Sequence, residues 1–296
     1  MNLLENHLLA PYTSLQIGGP ADYYLEAKNT DELLEGLAWA GERKMEVFVF
    51  GGGTNLIFDD NGFRGLVIRV KSDGVEVKGE TVTADAGVSM ARLVAVAAEH
   101  ELTGIEAWNG LPGTVGGAVR GNAGCFGVEV KDVLKEATVY VPEQGVARMS
   151  AAEMKFGYRS SLIKLHPEMV ILQAVFVLRK GQAAEIKVKM NEIARARIQK
   201  QPAGMSSGSF FKNPAPPERS AGKLIEECGL KGFKIGKAQV SPMHGNFLIN
   251  TGGATAEEMV RLAEAVKKTV AEKTGVELVE EVLIVRHRER GAGAHK

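Results

Sequence analysis

The alternation of apolar and polar positions predicts a chain of short strands and helices. Strands are expected at "DYYLEA" (22–27), "EVFVF" (46–50), "GLVIRV" (65–70) and the hairpin "VEVKGETVTADA" (75–86), which turns at Gly79-Glu80. Between the first two strands, apolar positions recur at helical spacing after Asn29, and Glu32 stands where a capping box would place it. Ser89 begins a second predicted helix.

The second half of the chain continues this mixture of elements. Strands are predicted at "EATVYVP", 169–179, "KAQVS", "NFLIN" and "ELVEEVLIVR", and helices at 182–200, near 219–228, and from Thr255, with Glu258, to about Lys273. The charged 182–200 helix is interpreted as a solvated face and a boundary. The prediction is an α+β fold with domains at 12–185 and 200–287, followed by a mobile tail at 288–296.

Composition excludes several classes of protein. The 296 residues contain 36 basic and 36 acidic side chains, so net charge favours neither a nucleic-acid nor a membrane-surface partner. Two cysteines, no metal-ligand spacing, no signal-peptide pattern and no apolar run of about 18 residues predict a cytoplasmic protein without a metal or a membrane span. The oligomeric state is not predicted.

Glycine is concentrated in two segments that point to an anionic ligand. "GGGTNL" follows a strand, but Leu56 occupies the position of the last glycine in a Rossmann fingerprint, and neither Gly-Lys pair is followed by Ser or Thr as a P-loop needs. Alone, this segment is as readily a structural turn. A second segment, 104–127, holds eight glycines. Two such loops predict a pyrophosphate-bearing cofactor lying along backbone amides.

Five motifs occur in order along the chain: "GGGTNLIF", "GLPGTVGGAVRGNAG", "GYRSS", "KQPAGMSSGSFFKNP" and "GVELVEEVLIV". Together, over residues 12 to 286, they resemble the UDP-N-acetylenolpyruvoylglucosamine reductase (MurB) family. The length is similar to the second type of this family, which lacks a substrate-covering loop. The resemblance implies a two-part FAD-binding region of the vanillyl-alcohol-oxidase (PCMH) type and a smaller C-terminal α+β substrate-binding domain. It also implies non-covalent FAD, NADPH as hydride donor and a UDP-sugar enolpyruvyl ether as substrate. The implied cofactor-binding residues are Gly51, Gly52, Gly53, Thr54, Asn55, Leu56, Gly110, Pro112, Gly113, Thr114, Gly116, Gly117, Gly121, Asn122 and Gly124.

The same resemblance implies the catalytic residues. Arg159 matches the arginine near the substrate carboxylate, Ser209 the proton donor and Glu281 the catalytic glutamate, while Lys212 and Asn213 match the substrate-binding segment. The family usually reads Glu-Pro-Glu where this chain has Val279-Glu280-Glu281. Glu281 is therefore assigned from its spacing to the following apolar run, on the expectation that strand alternation puts it on one face with Leu283 and Val285.

Two further departures and several alternatives stay open. Met243 replaces a family lysine, so His244 is interpreted as a structural or rim residue, and Cys125 stands where the family has alanine, as a small buried residue or a redox-sensitive thiol. Taken singly, Ser209 is as well explained as a turn hydroxyl and Arg159 as a surface residue. The rival functions are an FAD oxidase of the same fold and a non-catalytic flavin- or nucleotide-binding module.

Overall fold

The computed structural model describes residues 1–214 and 219–286. The tail predicted to be mobile lies outside these described residues. Within them, no helix has the length and apolarity needed to cross a membrane, and no group of His, Cys, Asp and Glu is placed to hold a metal ion. The described part of the chain also contains short 3-10 helices at Ala10–Tyr12, Glu106–Trp108 and Val130–Asp132.

The first region begins with a four-stranded sheet of order β1-β2-β5-β3. The strands are β1 (Leu3–Leu8), β2 (Pro20–Ala27), β3 (Val47–Phe50) and β5 (Phe63–Val70), with helix α1 (Thr30–Glu42) packed against them. The pairing of β2 and β3 with β5 is parallel. Asn29 caps α1 by accepting from the Glu32 N–H at 2.9 Å, but the Glu32 carboxylate accepts from Lys28, one residue before the position that a capping box uses.

A five-stranded antiparallel sheet of order β12-β11-β13-β7-β6 completes the first region. Its strands are β6 (Val75–Lys78), β7 (Thr81–Asp85), β11 (Leu134–Val141), β12 (Gly145–Ser150) and β13 (Val170–Val177). Around it lie α2 (Met90–Glu99), α3 (Val115–Arg120), α4 (Leu162–Leu165) and two small ribbons, β8 (Leu102–Thr103) with β14 (Arg179–Lys180) and β9 (Gly124–Cys125) with β10 (Val128–Glu129). The predicted hairpin at Gly79-Glu80 is confirmed, with Gly79 at φ +61°.

The long helix α5 (Ala183–Lys200) leads into the C-terminal region. Its surface is mostly exposed, as expected, but Arg197 is buried against the second glycine-rich segment. The C-terminal sheet has the order β15-β18-β17-β16, from β15 (Met205–Ser209), β16 (Lys234–Ile235), β17 (Ala238–Val240) and β18 (Phe247–Asn250). Helices α6 (Ala221–Glu227) and α7 (Ala256–Thr274) cover it, and the capping box of Thr255 and Glu258 forms as predicted.

The predicted last strand is too long. Only β19 (Leu283–Val285) is a strand, and it pairs in parallel with β4 (Leu56–Phe58) of the first region. The preceding residues instead bond to the 210–212 segment, through Lys212 N–H to Val279 O and Glu281 N–H to Phe210 O, each 2.8 Å. Glu281 precedes β19, so strand alternation does not place it on one face with Leu283 and Val285.

Candidate active site

The two glycine-rich segments lie against each other. Gly51 and Gly52 follow β3, while Gly113 and Thr114 precede α3. A β-carbon on Gly51 would overlap the Thr114 hydroxyl, and one on Gly52 would lie 3.1 Å from the Gly113 Cα. The glycines therefore let two backbone segments meet at a distance that side chains would prevent.

The first segment offers a row of amides suited to an anion. The N–H groups of Gly52, Gly53 and Thr54 have no hydrogen-bond acceptor among residues 1–214 and 219–286, although Gly53 is buried. Gly53 has φ +64° and its carbonyl accepts from Ser14. Consecutive amides turned one way by a left-handed residue form a concave anion site, so these residues fit the pyrophosphate of a dinucleotide.

Several polar groups of the second glycine-rich segment form hydrogen bonds within the protein. The Val115 and Gly116 amides donate to Val88 O and Ala86 O, both at 2.9 Å. Asn122 is fully buried, and its side-chain amide donates to Glu129 and to Gly157 O, both at 3.0 Å. These contacts place Gly116 and the Asn122 side chain in the framework that supports the loop, whereas Pro112 and Gly117 are exposed. Cofactor contacts by the individual predicted residues stay a prediction.

Arg159 and Glu281 form an ion pair although 122 positions separate them in the chain. Arg159 Nε lies 2.9 Å from Glu281 Oε1, and the two side chains are only 25% and 17% exposed. Arg159 Nη1 also donates to Gly124 O at 3.0 Å, at the end of the second glycine-rich segment. Partial burial strengthens this attraction relative to a surface pair.

The backbone of Glu281 joins the other predicted groups. Its N–H donates to Phe210 O, next to Ser209, at 2.8 Å, and its carbonyl accepts from Asn55 Nδ2 at 3.1 Å. Ser209 ends β15 after Gly208, which has φ +75°, and an irregular register shifts the pairing of this strand with β18. The structure thus brings the "GSFF" segment, the first glycine-rich segment and the Arg159–Glu281 pair to one place.

Glu280 and Glu281 are separated by their partners. The Glu280 carboxylate lies 2.8 Å from Lys267 Nζ on α7, while Glu281 faces Arg159. Glu281, and not Glu280, is therefore the glutamate beside Arg159, and its catalytic role stays a prediction. The alternation argument for it does not apply, because Glu281 precedes β19.

Cations outnumber anions around this pair. Burial lowers the pKa of the Lys164 ammonium, and repulsion from Lys212 and Arg120 lowers it further, whereas Glu281 acts in the opposite direction. An excess of positive charge suits a substrate that carries a carboxylate. Of the two predicted substrate-binding residues, Lys212 belongs to this group of cations, and Asn213 is exposed, with Oδ1 accepting from the Ala221 amide at 3.1 Å.

Sequence reasoning missed Lys164, Arg120 and Arg197. Arg197 donates to Asn109 O at 2.8 Å and lies 3.0 Å from Cys125 Sγ. Burial raises the pKa of the Cys125 thiol, an effect that Arg197 partly offsets. Lys164 could have been considered from the sequence, because it lies only five positions after Arg159. The burial of Arg197 could not be predicted from the sequence, because most of the surrounding residues of α5 are exposed.

Comparisons with known proteins agree with this arrangement. Residues 21–150 match the FAD binding domain family, and residues 196–285 match "UDP-N-acetylenolpyruvoylglucosamine reductase, C-terminal domain". Together with the paired glycine segments, these matches define an FAD-binding oxidoreductase. They confirm the predicted α+β fold, with an FAD-binding region and a smaller C-terminal region. The exact division of the chain at residues 185–200 stays a prediction.

Whole-chain relatives define the family. UDP-N-acetylenolpyruvoylglucosamine reductase of Caldanaerobacter subterraneus subsp. tengcongensis is 43% identical, covering 96% of this chain and 93% of the relative. The same enzyme of Rubrobacter xylanophilus is 41% identical over 94% and 93% of the two chains. The crystal structure of the Thermus caldophilus reductase (MurB) superposes with a TM-score of 0.82 at 34% identity, over 96% and 98% of the two chains. The chain belongs to the UDP-N-acetylenolpyruvoylglucosamine reductase family.

Proposed function

We propose that the protein reduces UDP-N-acetylglucosamine enolpyruvate to UDP-N-acetylmuramate with NADPH and FAD, as a cytoplasmic step of peptidoglycan precursor synthesis. The observation that carries this proposal is the Arg159–Glu281 pair, at 2.9 Å, with the Glu281 backbone held between Phe210 and Asn55. The arrangement connects a carboxylate-binding cation, the serine segment and the amides that fit a pyrophosphate.

When bound, FAD reduced by NADPH supplies the hydride that adds to the terminal carbon of the enolpyruvyl group. Negative charge then develops on the adjacent carbon and spreads into the substrate carboxylate. The protein must stabilise that charge, exclude water and deliver one proton to the adjacent carbon.

Arg159 is oriented for the first of these tasks. Gly124 O accepts a hydrogen bond from Nη1, and Glu281 Oε1 lies 2.9 Å from Nε as an ion pair. The buried Nε has no hydrogen-bond partner among the residues that the structure describes, so the guanidinium keeps donor capacity for a ligand. A planar guanidinium matches a carboxylate or enolate with two parallel hydrogen bonds. In the free protein, attraction to the Glu281 carboxylate keeps the guanidinium on this side of the site.

Ser209 supplies the proton in this proposal. A serine hydroxyl is a weak acid in water, but the carbon that must be protonated is strongly basic. Lys212, three positions later, is one of the cations of this site and would favour the alkoxide that forms. Gly208, with φ +75°, turns the backbone just before Ser209.

Replacing Ser209 by alanine tests the proposal. In anaerobic stopped-flow experiments, flavin reduction by NADPH should be unchanged, whereas flavin reoxidation by the enolpyruvyl substrate should slow by about 10²-fold or more.

The matched control is Ser207→Ala, which removes a neighbouring buried hydroxyl that has no hydrogen-bond partner among the described residues. Neither half-reaction should change. Equal losses in both half-reactions of Ser209→Ala would show a structural role for this serine. A wild-type flavin band that NADPH does not bleach would refute the reductase function itself and favour the oxidase.

A further inference from the structure

Arg159 occupies a backbone conformation that an arginine rarely adopts. It is the third residue of the four-residue turn Gly157–Ser160, closed by hydrogen bonds of 3.0 and 3.2 Å between the first and last residues. Its φ is +53°. A positive φ at this position is normally given to glycine or asparagine, because the β-carbon of other residues crowds the backbone. Such strained residues persist only where surrounding contacts fix them.

Lys164 makes the contact that fixes the Arg159 backbone. Its ammonium donates to Arg159 O at 2.8 Å. Lys164 comes from α4, which begins at the fully buried Ser161. The Ser161 hydroxyl accepts from the Lys164 N–H at 3.2 Å and donates to Arg120 O at 2.7 Å. The ammonium is therefore presented from an anchored turn of helix, while Asn122 holds the other end of the Arg159 turn.

The charge at Lys164 needs a functional explanation. The groups that face it are Lys212, Arg120 and Arg159, with Glu281 as the anion, and the side chain is half-buried. Burying a cation beside like charges costs free energy, which an apolar side chain of similar length would avoid. A purely space-filling role for this residue is therefore disfavoured.

We propose that Lys164 is a positioning residue for the reaction: its ammonium holds the Arg159 backbone in the left-handed conformation, so that the guanidinium stays against Glu281 and faces the substrate carboxylate. This inference rests on the proposed reductase function. Lys164 acts in it through the Arg159 backbone and not on the reacting atoms.

The test compares Lys164→Met, which removes the ammonium, with Lys164→Arg, which keeps a charged donor. Lys135→Met, at an exposed position of β11, is the control. Lys164→Met should bind FAD normally and accept hydride from NADPH at the wild-type rate. Its reoxidation by the enolpyruvyl substrate should fall about tenfold or more, because a charge-assisted hydrogen bond is lost. Lys164→Arg should recover most of this loss, and the control should lose nothing.

A pH profile separates positioning from a loss of folding. In the wild type, the rate constant of reoxidation should decline at alkaline pH, below the ordinary lysine range, as Lys164 loses its proton. In Lys164→Arg this decline should move to higher pH, because arginine stays protonated. An unmoved decline, or a Lys164→Met protein with wild-type reoxidation, would overturn the proposal. Failure of the wild type to oxidise NADPH with this substrate would instead overturn the proposed function.

Discussion

The imidazole of His244 is half-buried and packs against α6 and β18 of the C-terminal region. It lies over Gly222 of α6, and its ring centroid is 4.7 Å from that of Phe247. Nδ1 accepts the Asn246 N–H at 3.1 Å, so that nitrogen carries no proton. Burial lowers the pKa of His244 below its ordinary value, and the Lys231 ammonium lowers it further. Protonation would cost both the hydrogen bond and the favourable packing.

This environment predicts how stability depends on pH. Between the lowered pKa of the folded state and the ordinary value of about 6.5, the unfolded chain binds more protons than the folded protein. Stability is then lost as pH falls below about 6.5 towards the lowered pKa of the folded state, and this residue should contribute part of the loss between pH 6.5 and pH 5.5. Urea unfolding at the two pH values measures it. His244→Asn, which keeps an acceptor near the Nδ1 position, should show a smaller difference between them, and an unchanged difference would contradict this assignment.

The residues of the candidate site were predicted mainly from the order of the motifs along the chain. Arg159, Ser209 and Glu281 could be predicted because short motifs surround each of them. The supporting residues could not. Lys164 acts by a backbone contact and by its charge, and neither leaves a mark on hydrophobic spacing. The left-handed φ of Arg159 could not be predicted either, because position 159 itself is neither glycine nor asparagine.

Helix α7 is anchored by a carboxylate from another region of the chain. Asp60, two residues after β4, accepts from the Ala256 and Glu257 amides at 2.8 and 3.1 Å. The Thr255 hydroxyl accepts the next amide, of Glu258, at 3.1 Å. The unpaired amides of a helix N-terminus carry partial positive charge, so a carboxylate at this position both completes hydrogen bonds and complements the helix dipole.

Removing the Asp60 carboxylate should therefore weaken the connection between the two regions. Asp60→Ala should lower the free energy of unfolding by about 1–2 kcal/mol, because it removes two capping hydrogen bonds and a favourable charge. The control is Asp31→Ala in the first turn of α1, where only the dipole term is lost and about 0.3–1 kcal/mol is expected. Urea titration of both variants measures the difference, and equal losses would exclude a special role for Asp60.

Elements defined by local signals were predicted well, and those defined by distant partners were not. The α7 capping box lies within four residues, so the sequence displays it. The segment before β19 is apolar enough to be a strand, yet its backbone bonds are to residues 210–212, about 70 positions away, and not to a continuous neighbour. The Arg197 side chain on α5 was misjudged for the same reason, since its partners come from the 107–125 segment.

One hydrophobic cluster contains residues from both sides of the predicted domain boundary. The hydrophobic cluster beneath α6 and α7 includes Leu15, Ile17 and Ile57, which are 0–2% exposed and come from the first region. In return, β19 completes a ladder with β4. No pattern in the sequence links residues about 200 positions apart, so the prediction of two separate regions could describe their order but not their shared packing.

Shared packing predicts that the molecule unfolds as one unit. If the C-terminal region lost contact with Leu15, Ile17 and Ile57, three buried side chains would be exposed at about 1.5–3 kcal/mol each, so neither region should persist alone. Trp39 and Trp108 report on the first region by fluorescence, and the buried Cys228 thiol reports on the second by its reactivity in urea, located by peptide mapping. Both signals should change at the same urea concentration, and Cys228 labelling at a lower concentration than the tryptophan change would show independent domains. A coincident transition would mean that the Arg159–Glu281 pair, which also joins the two regions, is kept in place by the stability of the whole chain.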